Sequence, residues 1–263
     1  MNPISVQDQT GKFVFLPAPA ERIVSLVPSL TELLYHLHLS EEVVGITKFC
    51  VHPSHWHRTK TRVGGTKNVQ LQKVQQLQPQ LVLAAKEENL KEQVEPIRNY
   101  CPVYTSNVVT LNDALQMIGD IGALTGRTKN ALQLAKEIQT AFAAVNIEKR
   151  YRALYLIWKD PWMGAGYDTF INSMLQAAGF TNVLHNRSRY PALTPAEMQA
   201  LQPDVVLLSS EPYPFQEKHI DEVKKILPQS NVLLADGTYF SWYGSRMRHA
   251  PAYFVKLTEQ LHL

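Results

Sequence analysis

The chain has 263 residues, 45% of them hydrophobic, and its 26 Lys and Arg nearly balance 23 Asp and Glu to leave a net charge of +3. That length fits one large domain or two modest ones with a proper core each. The balanced charge has no basic block, which excludes nucleic acid as the main partner, and no apolar run approaches the ~20 residues that span a bilayer.

Residues 1–20 lack a basic start followed by an apolar core, so they read as no secretory signal. The chain is then cytoplasmic, or periplasmic if it is a processed form with an added Met. Lys12-Phe13-Val14-Phe15 predicts an edge hairpin, ended by Pro17 and Pro19. The apolar run 23–27 predicts a strand buried on both faces. Pro28-Ser29-Leu30-Thr31 opens a helix through Leu39, with Ser29 or Thr31 as its N-cap. Next come a strand at 43–47, a long polar loop at 48–68, a short helix at 69–77 and a strand at 81–85. A helix at 89–100, a strand at 103–105 and a helix at 111–124 complete the front half.

Over 128–150, Ala131, Leu132, Ala135, Ile138, Ala141, Phe142 and Val145 recur at spacings of three and four, the mark of an amphipathic helix. Thr128 is placed to cap it, and its length is about 30 Å. The back half repeats the alternation, with strands at 153–158, 182–184, 205–209 and 232–234. Its helices are expected at 169–178, 195–201, 219–226 and 247–261. Strands alternating with helices predict parallel sheets covered on both faces. Cys50 and Cys101 are too few for a disulfide framework and read as two buried thiols, with a single bridge between them as the alternative.

The halves resemble each other. Leu77-Gln78-Pro79-Gln80-Leu81-Val82-Leu83 aligns with Leu201-Gln202-Pro203-Asp204-Val205-Val206-Leu207, and both are preceded by the same order of elements. Two copies indicate a duplicated unit rather than a solenoid. The boundaries read as a lobe at 1–109, connecting helices at 110–150 and a second lobe at 151–263, with the halves joined once.

Ligands of open parallel sheets bind beyond the carboxyl ends of strands. The residues there are Ser29, Lys48, Phe49 and His52, then Lys67, Glu87, Glu88 and Asn89. The back half contributes Trp158, Asp160, Trp162, Met163, Glu211, Tyr213, Phe215, Trp242, Tyr243 and Arg246. Trp158, Trp162 and Trp242, joined by Tyr213, Phe215, Tyr239, Phe240 and Tyr243, suit a large, flat, largely apolar ligand. Packing between the lobes is the plainer use for them. His52, His55 and His57 stand close in sequence; three imidazoles can bind a free metal ion, and His52 is the best single candidate to ligate a chelated one. Glu87 and Glu211 occupy matching repeat positions. They suit acid–base work with Lys86 or Lys159 in an enzyme acting on a corrinoid or metal complex, or helix capping. No P-loop, nucleophile elbow, His-Glu-x-x-His or Cys-x-x-Cys is present.

Arg22-Ile23-Val24-Ser25-Leu26-Val27-Pro28-Ser29-Leu30-Thr31-Glu32, the two Leu-Gln-Pro segments, and Asp236-Gly237 with Trp242 before a closing helix carry a family resemblance. Over nearly its whole length the chain resembles the solute-binding proteins of ABC importers with a helical backbone, which take cobalamin, haem or ferric siderophores, and is most similar to the cobalamin branch. The resemblance implies an α/β fold of two Rossmann-like lobes with parallel sheets, joined by one long backbone helix, with the ligand cleft between lobes. It also implies binding without chemistry, a metal chelate as cargo instead of a cofactor, a monomer, and an importer permease as partner. In the family a glutamate precedes each Pro-Asp-like motif by seven residues and docks the permease. Gln72 and Ala196 stand at those places here, with Glu197 adjacent, which weakens the expected docking.

Overall fold

The computed structural model describes residues 3–145, 147 and 150–261. Contacts divide the chain into two compact units. The front unit comprises Met1–Val108, Asn112–Glu137 and Tyr243–Arg246; the back unit comprises Val109–Leu111, Ile138–Trp242 and Met247–Leu263.

The front unit is built on five parallel strands in the order Thr61–Arg62, Val43–Ile46, Ile23–Ser25, Leu81–Ala85, Val103–Ser106. The last three are buried along their whole length, as strands covered on both faces require. In the back unit Tyr151–Trp158 is central, with Val205–Ser209 and then Asn231–Ala235 parallel on one side. On its other side Phe180–Asn182 runs parallel along its first residues.

The duplication is visible atom by atom. Each central strand pairs with its Leu-Gln-Pro neighbour in the same register, Ile23 with Leu81 and Ala153 with Val205. Gln78 and Gln202 both turn left-handed, at φ 47° and 44°. Arg22 Nη2 donates to the Leu77 carbonyl at 2.6 Å, and Arg152 Nη2 to the Leu201 carbonyl at 2.7 Å. Each arginine satisfies the end of a short helix, where carbonyls lack intrahelical partners.

Several expectations are corrected. The back sheet is mixed: Trp162–Gly164, expected as loop, turns back antiparallel on Tyr151–Trp158 and carries Ala192–Leu193 antiparallel beyond it. The N-terminal hairpin, Ile4–Gln7 with Phe13–Leu16, forms its own two-stranded sheet instead of edging the main one. The stretch expected as a polar loop holds the helix Ser54–Thr59 and short strands at Thr61–Arg62, Gly64–Gly65 and Asn68–Val69. The helix expected at 89–100 is α-helical over Lys91–Val94 and becomes 3-10 at Glu95–Asn99, where Pro96 has no N–H to give. Neither Ser29 nor Thr31 caps the helix Pro28–His36, whose N-cap is Val27. The Thr31 hydroxyl is buried within it and donates to the Val27 carbonyl at 2.9 Å.

The helix expected over 128–150 spans Thr128–Ala143, about 24 Å. Val145 closes it by donating to the Phe142 carbonyl, a tightened final turn. Asn146, Glu148 and Lys149, in the expected last turn, lie outside the described residues, as do the outermost residues of the expected lobes, Met1, Asn2, His262 and Leu263. Nor are the halves joined once. Beyond the passage after Glu137 in this helix, Tyr243–Arg246 returns to the front unit. Tyr243 is held there by a 3.3 Å hydroxyl–hydroxyl hydrogen bond to Ser106, and Arg246 by an ion pair with Glu32.

Both cysteines are free and buried, and burial pushes the Cys101 thiol up to about 12. Within the front unit, Leu111–Leu124 and Thr128–Ala143 approach closely at Gly122. A Cβ there would lie 2.3 Å from the Ala131 methyl carbon. Gly122→Ala is expected to cost about 1–3 kcal/mol through forced separation of two helices, measured as a lower urea midpoint at unchanged m-value.

Candidate functional site

The carboxyl ends of each unit's strands carry different chemistry. In the front unit, Val43–Ile46 leads into Thr47, Lys48, Phe49 and Cys50. Thr31, Thr47 and Cys50 form a buried knot, with both hydroxyls 3.1 Å from the Cys50 sulfur. This knot anchors the strand end from below. Above it Phe49 is about half exposed, with Lys48 Nζ 5.0 Å from its ring centre. Gly65 backs that ring, and a Cβ there would sit 3.2 Å from Phe49 Cε2. After Leu81–Ala85, Asn89 is buried and spent on structure. Its Oδ1 accepts from Ala85 N at 2.9 Å, and its Nδ2 donates to the Thr66 carbonyl at 2.8 Å. Glu87 is exposed and Glu88 half-buried; Lys67 is exposed on the turn after Gly64–Gly65. Ser29 is buried, and its hydroxyl has no hydrogen-bond partner among the described residues.

In the back unit the central strand and its hairpin partner bring aromatic rings together. Trp162 stacks on Phe215 with centroids 6.2 Å apart and planes 4° from parallel. Phe215 meets Tyr213 at 4.7 Å, and Tyr213 meets the edge of Trp158 at 5.6 Å. Phe215 belongs to the apolar core with Leu154, Leu156 and Leu208, and Trp162 and Tyr213 pack against that core. Trp158 is 40% exposed. A rigid aromatic shelf results, seated on the core and wet at its outer end. Lys159 lies over the Trp162 ring at 5.8 Å and is ion-paired with Glu222. Its ammonium pKa is raised, first by that hydrogen bond.

His219, 2% exposed, supports the shelf from within. Its Nδ1 accepts from Gln216 N at 2.9 Å, and its Nε2 is 3.3 Å from the Tyr213 hydroxyl. Sequence reasoning gave His219 no role. The signal was its place three residues after Gln216, the reciprocal arrangement of a helix-capping pair.

The eight aromatic side chains expected near the strand ends therefore separate. Trp158, Trp162, Tyr213 and Phe215 form one cluster. Trp242 donates through Nε1 to Glu211 Oε1 at 2.8 Å, and Ser241 donates to the same oxygen. Tyr239 stacks on Tyr253 at 4.5 Å. Phe240 is fully buried against Tyr155 and Phe254. Tyr243, expected to face a ligand, is buried in the front unit with its hydroxyl against Ser106. Arg246 is likewise engaged by Glu32. Asp160 sits exposed at the hairpin turn with φ 60°, and Met163 is paired opposite Trp158.

The free-metal reading of His52, His55 and His57 is corrected. Among the described residues no three His, Cys, Asp or Glu side chains converge as a metal site. Helix formation over Ser54–Thr59 explains this, because residues two apart do not share a helix face. His55 packs on the edge of Tyr35 at 5.5 Å, while His57 Nε2 lies 3.1 Å from the Lys48 carbonyl. His52 precedes the helix on an exposed turn.

Known proteins match this architecture. A family model described as periplasmic binding protein covers residues 23–229. The chain is 29% identical over 222 residues to the uncharacterized ABC transporter substrate-binding lipoprotein YvrC of Bacillus subtilis (strain 168), covering 78% of this chain and 68% of that one. It is 22% identical over 197 residues to the vitamin B12-binding protein of Vibrio parahaemolyticus, covering 73% and 71%. Among solved structures, the periplasmic heme-binding protein RhuT from Roseiflexus sp. RS-1 in apo form superposes with a TM-score of 0.77 at 23% identity, covering 90% of this chain and 98% of that one. At that identity the likeness speaks for the fold.

Proposed function

Because the chain belongs to the periplasmic binding protein family, whose members bind solutes and are not enzymes, we propose that it captures a corrinoid of the cobalamin type as cargo for an ABC importer. The observation that carries this reading is the aromatic shelf of Trp158, Trp162 and Tyr213 over buried Phe215. A planar macrocycle offers such a shelf a large apolar face, and rings already packed on a core lose little freedom on binding. A corrinoid brings its own metal ligands, so it asks the protein for faces and hydrogen bonds more than for donor clusters. The vitamin B12-binding relative supports the same cargo.

In this reading Glu211 positions Trp242 and does no acid–base work. The protein acts as a monomer outside the cytoplasmic membrane, as the lipoprotein among its relatives suggests, in place of the cytoplasm read from residues 1–20. Permease docking relies on surfaces other than those of the family's glutamates. Gln72 and Ala196 are exposed and uncharged, and Glu197 is committed to Thr194 and Arg187.

Titration calorimetry of the purified chain with cyanocobalamin, haemin and ferrichrome tests the proposal. Saturable binding of cyanocobalamin at about 1 μM or tighter, with haemin and ferrichrome weaker, is the expected result. Preferential haemin or ferrichrome binding reassigns the cargo, and no heat with any of the three removes the proposal.

A further inference from the structure

The back unit contains a concavity that the proposed cargo does not use. It is a groove of about 530 Å³, within the range of small-molecule sites. It opens beside Phe180–Asn182, the strand paired with Tyr151–Ala153 at the start of the central strand. Trp158 lies at that strand's other end, about 16 Å beyond Ala153 at ~3.3 Å per residue. The groove and the aromatic shelf are thus separated by most of the sheet's depth.

Two asparagines of the groove are held by hydrogen bonds. Asn182 is buried; its Nδ2 donates to the Ala165 carbonyl at 3.0 Å and to Asn172 Oδ1 at 3.1 Å. Its Oδ1 accepts from Leu184 N at 2.9 Å. Asn172 Nδ2 in turn donates to the Tyr167 carbonyl at 2.9 Å. Four other lining side chains, those of Arg150, Tyr167, Gln176 and His185, make no hydrogen bond or ion pair with any described residue. Arg150 and His185 bring positive or proton-donating groups, Tyr167 a hydroxyl and Gln176 an amide. No described lining residue carries a carboxylate. An arginine among neighbouring donors, with no acid among the described residues lining the groove, is matched by the paired oxygens of a carboxylate or phosphate.

We propose that this groove is a binding site for a small organic anion, held through its carboxylate or phosphate by Arg150 and His185, with Tyr167 and Gln176 ordering the remainder. The site works independently of the cargo shelf, because no residue is shared between them.

Heteronuclear NMR of the full chain, with citrate and inorganic phosphate as probes and chloride at matched ionic strength as control, provides the test. Saturable amide shifts confined to residues around Tyr167, Thr181 and His185 are expected with citrate or phosphate and not with chloride. A response to citrate alone identifies the carboxylate as the recognised group, and to phosphate alone the phosphate. Arg150→Ala and His185→Ala are each expected to weaken the response about tenfold, the loss of one charge-assisted contact, with an unchanged thermal midpoint. Cyanocobalamin titration of the two variants is expected to match the parent chain, which separates this proposal from that of the cargo. Shifts equal to those with chloride, no saturation, or equal responses in parent and variants would overturn it.

Discussion

Trp158→Ala is expected to weaken cyanocobalamin binding about tenfold while leaving stability unchanged, and Trp162→Ala to weaken it about a hundredfold at a cost in stability. The difference follows from where the rings sit. Trp158 is 40% exposed and meets Tyr213 in a T-shaped contact, so its removal bares little core. Trp162 stacks on Phe215 and packs against the apolar core, so its loss opens that core as well. Truncating so large a ring at a partly buried position costs about 3 kcal/mol, the low end of aromatic-to-alanine changes. Trp162→Phe separates the two effects, since it keeps a flat ring over Phe215 and is expected to recover most of the stability and part of the affinity. Calorimetric affinity alongside thermal melts of the three variants makes the comparison. Unchanged affinity in both alanine variants would move the cargo off the shelf.

The largest expected stability loss lies far from any ligand, at Asp8. Its carboxylate is wholly buried and satisfied on both oxygens. Oδ1 accepts from Thr10 N, the Thr10 hydroxyl and Lys12 N; Oδ2 accepts from Arg98 Nη2 at 3.0 Å and Thr105 N at 3.2 Å. One side chain thus ties the N-terminal hairpin to the strand Val103–Ser106. Asp8→Ala leaves the partly buried Arg98 and several backbone N–H groups short of an acceptor, a loss of about 3–5 kcal/mol. Asp8→Asn is expected to do little better, because an amide nitrogen cannot accept from Arg98 or Thr105.

The pH dependence has a definite sign. Burial raises the Asp8 pKa, but the hydrogen bonds from Lys12, Thr10 and Arg98 outweigh it and hold it below the usual aspartate value. A carboxyl more acidic in the folded than in the unfolded chain stabilises fully above about pH 4, and that contribution is lost as pH falls through the lowered value. Urea midpoints between neutral and acid pH should therefore fall more steeply for the parent chain than for Asp8→Asn. Parallel curves would show that the ionised form of Asp8 contributes nothing special.

The doubled architecture was readable because it is written in local chemistry. The Leu-Gln-Pro segments fix a left-handed glutamine and a strand start, and an arginine ahead of each central strand closes the helix that leads into its neighbouring strand. Trp158, Trp162 and Tyr213 were readable as ligand candidates because they follow apolar runs, where parallel sheets expose their ends. The hairpin at Trp162–Gly164 was hidden because its two strands are joined by Lys159-Asp160-Pro161, which reads as plain loop. Burial of Phe215 and Phe240 was hidden for a different reason. Local pattern places an aromatic after a strand, but the packing of distant elements decides whether its ring meets core or water. His55 and His57 misled through proximity in sequence, which a helix converts into separation in space.

The return of Tyr243–Arg246 bears on how the protein is made. The ribosome releases residues in order, so Glu32 emerges more than two hundred positions before the arginine that neutralises it. Until then the nascent front unit is short of its final segment, with one face of the helix Pro28–His36 bare where Gly244, at φ 118°, will lie against Leu33. Completion of the first unit thus waits until Tyr243–Arg246 has been made, and any early stop before Tyr243 damages the half of the molecule that was synthesised first.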